Sequence, residues 1–104
     1  MEKLKGELLE MQRERDWKQF HTPENLAKSI SIEAAELLEC FQWNNSYNLN
    51  EVCEELADIV NYCILMGDAL GVNIEDVALE KNKKTKNKYP IDKAKGNSTK
   101  YTKL

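Results

Sequence analysis

A chain of 104 residues with 41% hydrophobic and 32% charged residues, four glycines and two prolines can fill one core but not two. That composition favours a helical globular domain over a disordered or all-β one. The net charge of −3 hides an asymmetry: from Lys81 onward there are nine lysines against Asp92 alone, a balance of +8, which leaves −11 on residues 1–80.

No apolar run approaches the length of a membrane span, and Met1–Glu7 lacks the apolar centre of a signal peptide. Cys40, Cys53 and Cys63 are odd in number and form no CxxC pair, so they read as free, buried thiols of a protein in a reducing cytoplasm.

In chain order, Leu4, Leu8 and Met11 recur at helical spacing and predict an amphipathic helix from Leu4 to about Arg15. A polar connection, Arg15 to Pro23, then carries Trp17, Phe20 and His21. Aromatic residues in a connection either close off the core or serve a site built on the scaffold. A single histidine is more often a hydrogen-bonding residue than a metal ligand.

Thr22–Pro23 reads as the N-cap and first residue of a second helix that runs to about Phe41. The stretch Gln42–Asn48 reads as a turn. Asn50 is the expected N-cap of a third helix that stops at Gly71. This third helix is apolar nearly all round, so it must be covered on every side, and a subunit interface is expected there. A fourth helix opens near Asn73 and ends near Tyr89–Pro90. The expected division is a helical domain over residues 1–90 and a basic tail over residues 91–104.

Two acidic steps stand out, Glu33 to Glu36 and Glu55 to Asp58. At about 100° per residue, a step of three keeps two carboxylates on one helix face. Leu26, Leu37 and Cys40 fall within roughly 40° of Glu33 on the helical wheel, and Ile59, Tyr62 and Met66 lie as close to Glu55. The acids thus occupy the apolar sectors of their helices. Glu24, Lys28 and Glu39 fall on the opposite, solvated side. Carboxylates turned toward a core are costly unless paired or bound to a cation. Two antiparallel helices sharing Mg²⁺ or Mn²⁺ resolve the conflict. A di-iron centre would require a Glu-x-x-His step on two helices, and neither acidic pair has one.

The order ExxE, loop, ExxD resembles the all-α MazG-like nucleotide pyrophosphohydrolases. The string Arg15-Asp16-Trp17-x-Gln19-Phe20-His21-x-Pro23-x-Asn25-Leu26 is similar to the opening of the dCTP pyrophosphatase branch. Phe41-Gln42-Trp43, Tyr89-Pro90 and Lys100-Tyr101-Thr102-Lys103-Leu104 resemble its later motifs, so the likeness runs from about Leu8 to the last residue.

The resemblance implies an all-α bundle of about four helices, assembled as a homodimer or as a homotetramer of two dimers, with pockets shared between chains. It implies Mg²⁺-dependent cleavage of a deoxynucleoside triphosphate, dCTP or a modified dCTP, to monophosphate and pyrophosphate. Glu33, Glu36, Glu55 and Asp58 would then be the metal ligands and catalytic carboxylates. Trp17, His21, Trp43 and Tyr62 would line the nucleoside pocket, and Lys81 would meet the phosphates. Neither nucleic acid nor membrane is an expected partner.

Two positions depart from the branch. Thr85 stands where members often have Asn, and the Asn44–Asn50 loop is shorter than in animal members. The competing reading is a non-catalytic helical interaction module whose basic tail binds nucleic acid. Such a module has no use for four acids in apolar sectors.

Overall fold

The computed structural model describes residues 1–43 and 46–104. Asn44 and Asn45, part of the expected Gln42–Asn48 turn and of the shortened loop, lie outside the described residues. The chain is all-α, with five α-helices and two 3₁₀ turns among the described residues. It divides into two compact units, Met1–Asn73 and Ile74–Leu104.

In the first unit, α1 spans Glu2–Glu14, α2 spans Pro23–Glu39 and α3 spans Leu49–Leu70, with a 3₁₀ turn at Lys18–Phe20 between α1 and α2. The expected boundaries fit α2 at its start: Thr22 Oγ1 accepts the Asn25 N–H at 3.2 Å, and Pro23 opens the helix. The start of α3 differs. Its N-cap is Asn48, whose side-chain oxygen accepts the Glu51 N–H at 3.1 Å, and not Asn50, which lies inside the helix. Both asparagines can cap. The earlier one brings Leu49 into the first turn. At its end α3 stops on Gly71, which takes the left-handed conformation (φ 72°) that favours glycine.

Helix α2 packs along α3, and α1 also packs on α3. Leu8, Leu26, Ile64 and Leu65 form the buried apolar core. This core is small for the apolar material the chain carries. Ile32 and Leu38 on α2, and Leu49, Leu56 and Val60 on α3, stay exposed. The helix expected to be covered on every side is therefore covered on only part of its circumference by this chain.

In the second unit, α4 spans Ile74–Lys88 and α5 spans Ile91–Ala94, followed by a 3₁₀ turn at Tyr101–Lys103. The stretch expected as a tail is thus partly folded. The Tyr101 ring meets Tyr89 edge-on at 6.0 Å between centroids, and Lys88 Nζ lies 4.7 Å from the same ring. No helix among the described residues is long and apolar enough to cross a membrane.

Candidate active site

The connection after α1 is built to hold two side chains in place. Asp16 takes a positive φ of 53°, which reverses the chain, and the Trp17 N–H donates back to the Gln12 carbonyl at 2.9 Å. Gln19 Nε2 donates to the Asp16 backbone oxygen and to its carboxylate, both at 3.0 Å. Asn25 Nδ2 donates to the Phe20 carbonyl at 3.0 Å, which ties the connection to the first turn of α2. The Asp, Gln and Asn of the sequence string are thus turn-fixing residues. They present Trp17 and His21 side by side, ring centroids 6.3 Å apart, with the Arg15 guanidinium 5.6 Å from the Trp17 ring.

Across α2 and α3 the acidic pairs meet. Glu33, Glu55 and Asp58 each offer a carboxylate oxygen, and these oxygens lie within 4.8 Å of one another. One oxygen of Glu33 and one of Glu55 are buried with no hydrogen-bond partner among the described residues. Burial is the main force raising the Glu33 carboxyl, to about 7; hydrogen bonding with Glu55 and Glu36 and the charges of Glu36 and Asp58 add to it. For Glu55 the hydrogen bond from Glu33 acts downward, but burial, Glu36 and Asp58 outweigh it and its value is raised too. Both shifts favour protonation of this pair in the metal-free chain. Glu36 is exposed and stands beside both as a perturbing neighbour.

Such a cluster fits a hard divalent cation. Its donors are all carboxylate oxygens, and two of them are desolvated and unpartnered, an arrangement that stabilises the protein only when a positive charge is shared. Cys40 lies one turn beyond Glu36, at the end of the same helix. Its thiol donates to the Glu36 carbonyl at 3.5 Å, and burial, then Glu51 and Glu55, push it up and keep it protonated. All three cysteines are free, but they are not buried as expected: Cys53 is exposed, and Cys40 and Cys63 are half-buried, because the apolar core of this chain is confined to Leu8, Leu26, Ile64 and Leu65.

Next to the cluster lies a cavity of about 230 Å³ lined by Leu8, Met11, Gln12, Trp17, His21, Asp58, Asn61, Tyr62 and Leu65. Asp58 belongs to both the carboxylate cluster and the cavity wall. Trp17, His21 and Tyr62 are brought together here. Trp43 is not: it is 84% exposed and lines none of the described cavities of the first unit. Lys81 sits on α4 in the second unit, where Thr85 Oγ1 donates to its backbone carbonyl at 3.2 Å, so that hydroxyl is engaged on its own helix.

Two lining residues escape a reading of the sequence. Gln12 is only 6% exposed, and its Oε1 lies 2.7 Å from His21 Nδ1. Its signal was available: it follows Leu4 and Leu8 at steps of four, a polar residue in an apolar stripe. Asn61 lies three residues after Asp58, about 60° round the helix from it but about 120° from Glu55, so a wheel centred on Glu55 does not point to it.

Residues 28–104 match the MazG-like family. Among curated proteins, the chain is 31% identical over 101 residues to dCTP pyrophosphatase 1 of Mus musculus and 34% identical over 101 residues to that of Homo sapiens. Each alignment covers 88% of this chain and 59% of the relative, so the chain spans about three-fifths of the length of these relatives. Among solved structures, a pyrophosphatase from Archaeoglobus fulgidus is similar at 41% identity and a TM-score of 0.80, covering 86% of this chain and 92% of that one.

Proposed function

The chain belongs to the MazG-like family, and from that premise we propose that it is a metal-dependent nucleoside triphosphate pyrophosphohydrolase acting on dCTP or a modified dCTP. The observation that carries this reading is the double membership of Asp58, in a carboxylate cluster suited to a cation and in a cavity walled by Trp17, His21 and Tyr62. The relatives named dCTP pyrophosphatase and the archaeal pyrophosphatase support it.

In this reaction a water oxygen bonds to the α-phosphorus, the bond from that phosphorus to the α–β bridging oxygen breaks, and pyrophosphate leaves with the electron pair. Glu33, Glu36, Glu55 and Asp58 would hold Mg²⁺ or Mn²⁺, with Glu33, Glu55 and Asp58 as the preassembled set. The cation, when bound, supplies Lewis-acid neutralisation of phosphate oxygens and eases deprotonation of water. The carboxylates take up the proton released as water attacks. Trp17 and Tyr62 offer faces to the base and exclude water from it. Lys81 is assigned to the phosphates, where its ammonium offsets their charge.

The active form is a homodimer, or a homotetramer of two dimers, located in the cytoplasm. A cavity of about 230 Å³ lies below the ~300 Å³ at which ordinary ligand pockets begin, so a further wall is needed. Trp43, exposed in the single chain beside the uncovered apolar residues Leu38 and Phe41, is assigned to the pocket of a neighbouring copy.

The test is pyrophosphate release measured over all canonical deoxynucleoside triphosphates, with Mg²⁺ and with a chelator. Metal-dependent release, largest with dCTP, is expected. No release from any triphosphate would overturn the hydrolase assignment, and equal release from all would overturn the cytosine preference.

A further inference from the structure

The contact between Gln12 and His21 has a chemical consequence for the cavity they share. An amide oxygen can only accept a hydrogen bond, so at 2.7 Å from Gln12 Oε1 the Nδ1 of His21 must donate. In a neutral imidazole, a proton on Nδ1 leaves Nε2 as a bare acceptor. Nε2 has no partner among the described residues, while the ring lines the cavity with Trp17 and Tyr62. Gln12 is itself buried on α1, within an apolar stripe, where a polar residue is kept only at a cost. Burial also lowers the basicity of His21, which favours the neutral ring.

We propose that Gln12 is a positioning residue that locks His21 in the Nδ1–H tautomer, so that Nε2 accepts from an amino group on the edge of a bound base. This inference rests on the proposed pyrophosphohydrolase reading and deepens it to base selection. Cytosine carries an exocyclic amino donor where uracil carries a carbonyl oxygen. An acceptor at that edge attracts the first and faces lone pair to lone pair with the second. Stacking on Trp17 cannot make this distinction, because every base offers a π-face. A buried polar group that matches one substrate and is left unpaired by its isostere discriminates far more strongly than an apolar contact.

His21 is the only histidine in the chain, so its imidazole nitrogens are assigned without ambiguity by ¹⁵N-detected NMR. The wild-type protein at neutral pH is expected to show a protonated Nδ1 and an unprotonated Nε2. Gln12→Met keeps the bulk and removes the acceptor. It should shift the ring toward the Nε2–H tautomer and lower the preference for dCTP over dUTP about tenfold, through KM for dCTP with kcat nearly unchanged. The wild-type spectrum requires no variant, so a failure of Gln12→Met to fold leaves the proposal exposed to refutation. An Nε2–H ring in the wild type would overturn it, as would a wild type indifferent between dCTP and dUTP. Undiminished discrimination in a folded Gln12→Met would do the same. If the wild type hydrolyses no triphosphate, the hydrolase reading and the base selection built on it fall, whereas the tautomer lock still stands or falls on the spectrum.

Discussion

In Met1–Asn73 the carboxylates of Glu33 and Glu55 are turned inward, each with one oxygen out of water and unpartnered, whereas in Ile74–Leu104 every side chain from Glu75 to Lys88 faces solvent. Both units are rich in charge, but only the first holds charge where it is costly. In the second unit Glu80 and Lys83 pair at 3.3 Å with both partners well exposed, and such pairs contribute little to stability. The difference separates two uses of ionisable residues. Solvated lysines act at a distance, drawing in an anionic ligand and keeping the protein soluble. Desolvated carboxylates act on what they touch.

The sharpest way to break this comparison is to remove charge from each unit in turn. Asp58→Asn or Glu36→Gln should lower metal-dependent turnover by about a hundredfold or more, since even outer partners of a metal site cost 10–100-fold. The metal-free fold should be kept, or become slightly more stable, because a like charge leaves a crowded cluster. Lys86→Ala in the second unit should change turnover little. Pyrophosphate release and thermal melts of the three variants check the contrast, and ordinary activity in Glu36→Gln would remove that residue from the site.

Next in size is the effect of Trp43→Ala. A base stacked on an aromatic face gains about 1–3 kcal/mol, so KM for dCTP should rise roughly tenfold while kcat holds. Because Trp43 is 84% exposed in the single chain, the fold of one copy should not depend on it. An unchanged KM would take Trp43 out of the nucleoside pocket.

The acidic pairs were legible in the sequence because helical periodicity alone puts Glu33 with Leu26 and Leu37, and Glu55 with Ile59 and Tyr62. The caps at Thr22 and Gly71 were legible for the same local reason. Asn48 and Asn50 offer identical capping chemistry, so the sequence alone does not choose between them. The folding of Tyr101 against Tyr89 bridges twelve residues and leaves no periodic trace. Gln12 was hidden because its partner, His21, lies beyond the end of its helix, although its place in the Leu4–Leu8 stripe marked it as unusual. Trp17 and Trp43 looked alike as aromatic residues flanking the second helix, and only the structure shows one in a cavity wall and the other in solvent.

A smaller effect, in stability, sharpens the comparison by pH. Glu33 titrates at about 7 in the folded, metal-free protein against an ordinary value of 4.5. Between those two values the folded state binds more protons than the unfolded one, so stability is fully present below 4.5 and is lost as pH rises through 7. The melting temperature without metal should therefore fall between about pH 5 and pH 8, and added Mg²⁺ should reverse the fall at the upper end. A flat profile without metal would contradict the desolvated state assigned to Glu33. The smallest effect belongs to the second unit. Tyr101→Ala removes one cation–π contact and one aromatic edge, worth about 1 kcal/mol together, which a denaturant melt can resolve.

The central claim, that the inward carboxylates of α2 and α3 form a cation site, is tested most directly by calorimetric titration of the wild-type protein with Mn²⁺ at neutral pH in buffers of differing ionisation enthalpy. A saturable site that releases protons on binding is the predicted result, because the raised Glu33 and Glu55 carboxyls must be deprotonated to hold the ion. Glu33→Gln should lose both the affinity and the proton release. Absence of saturable binding in the wild type, or binding that survives Glu33→Gln with its proton release intact, would contradict it.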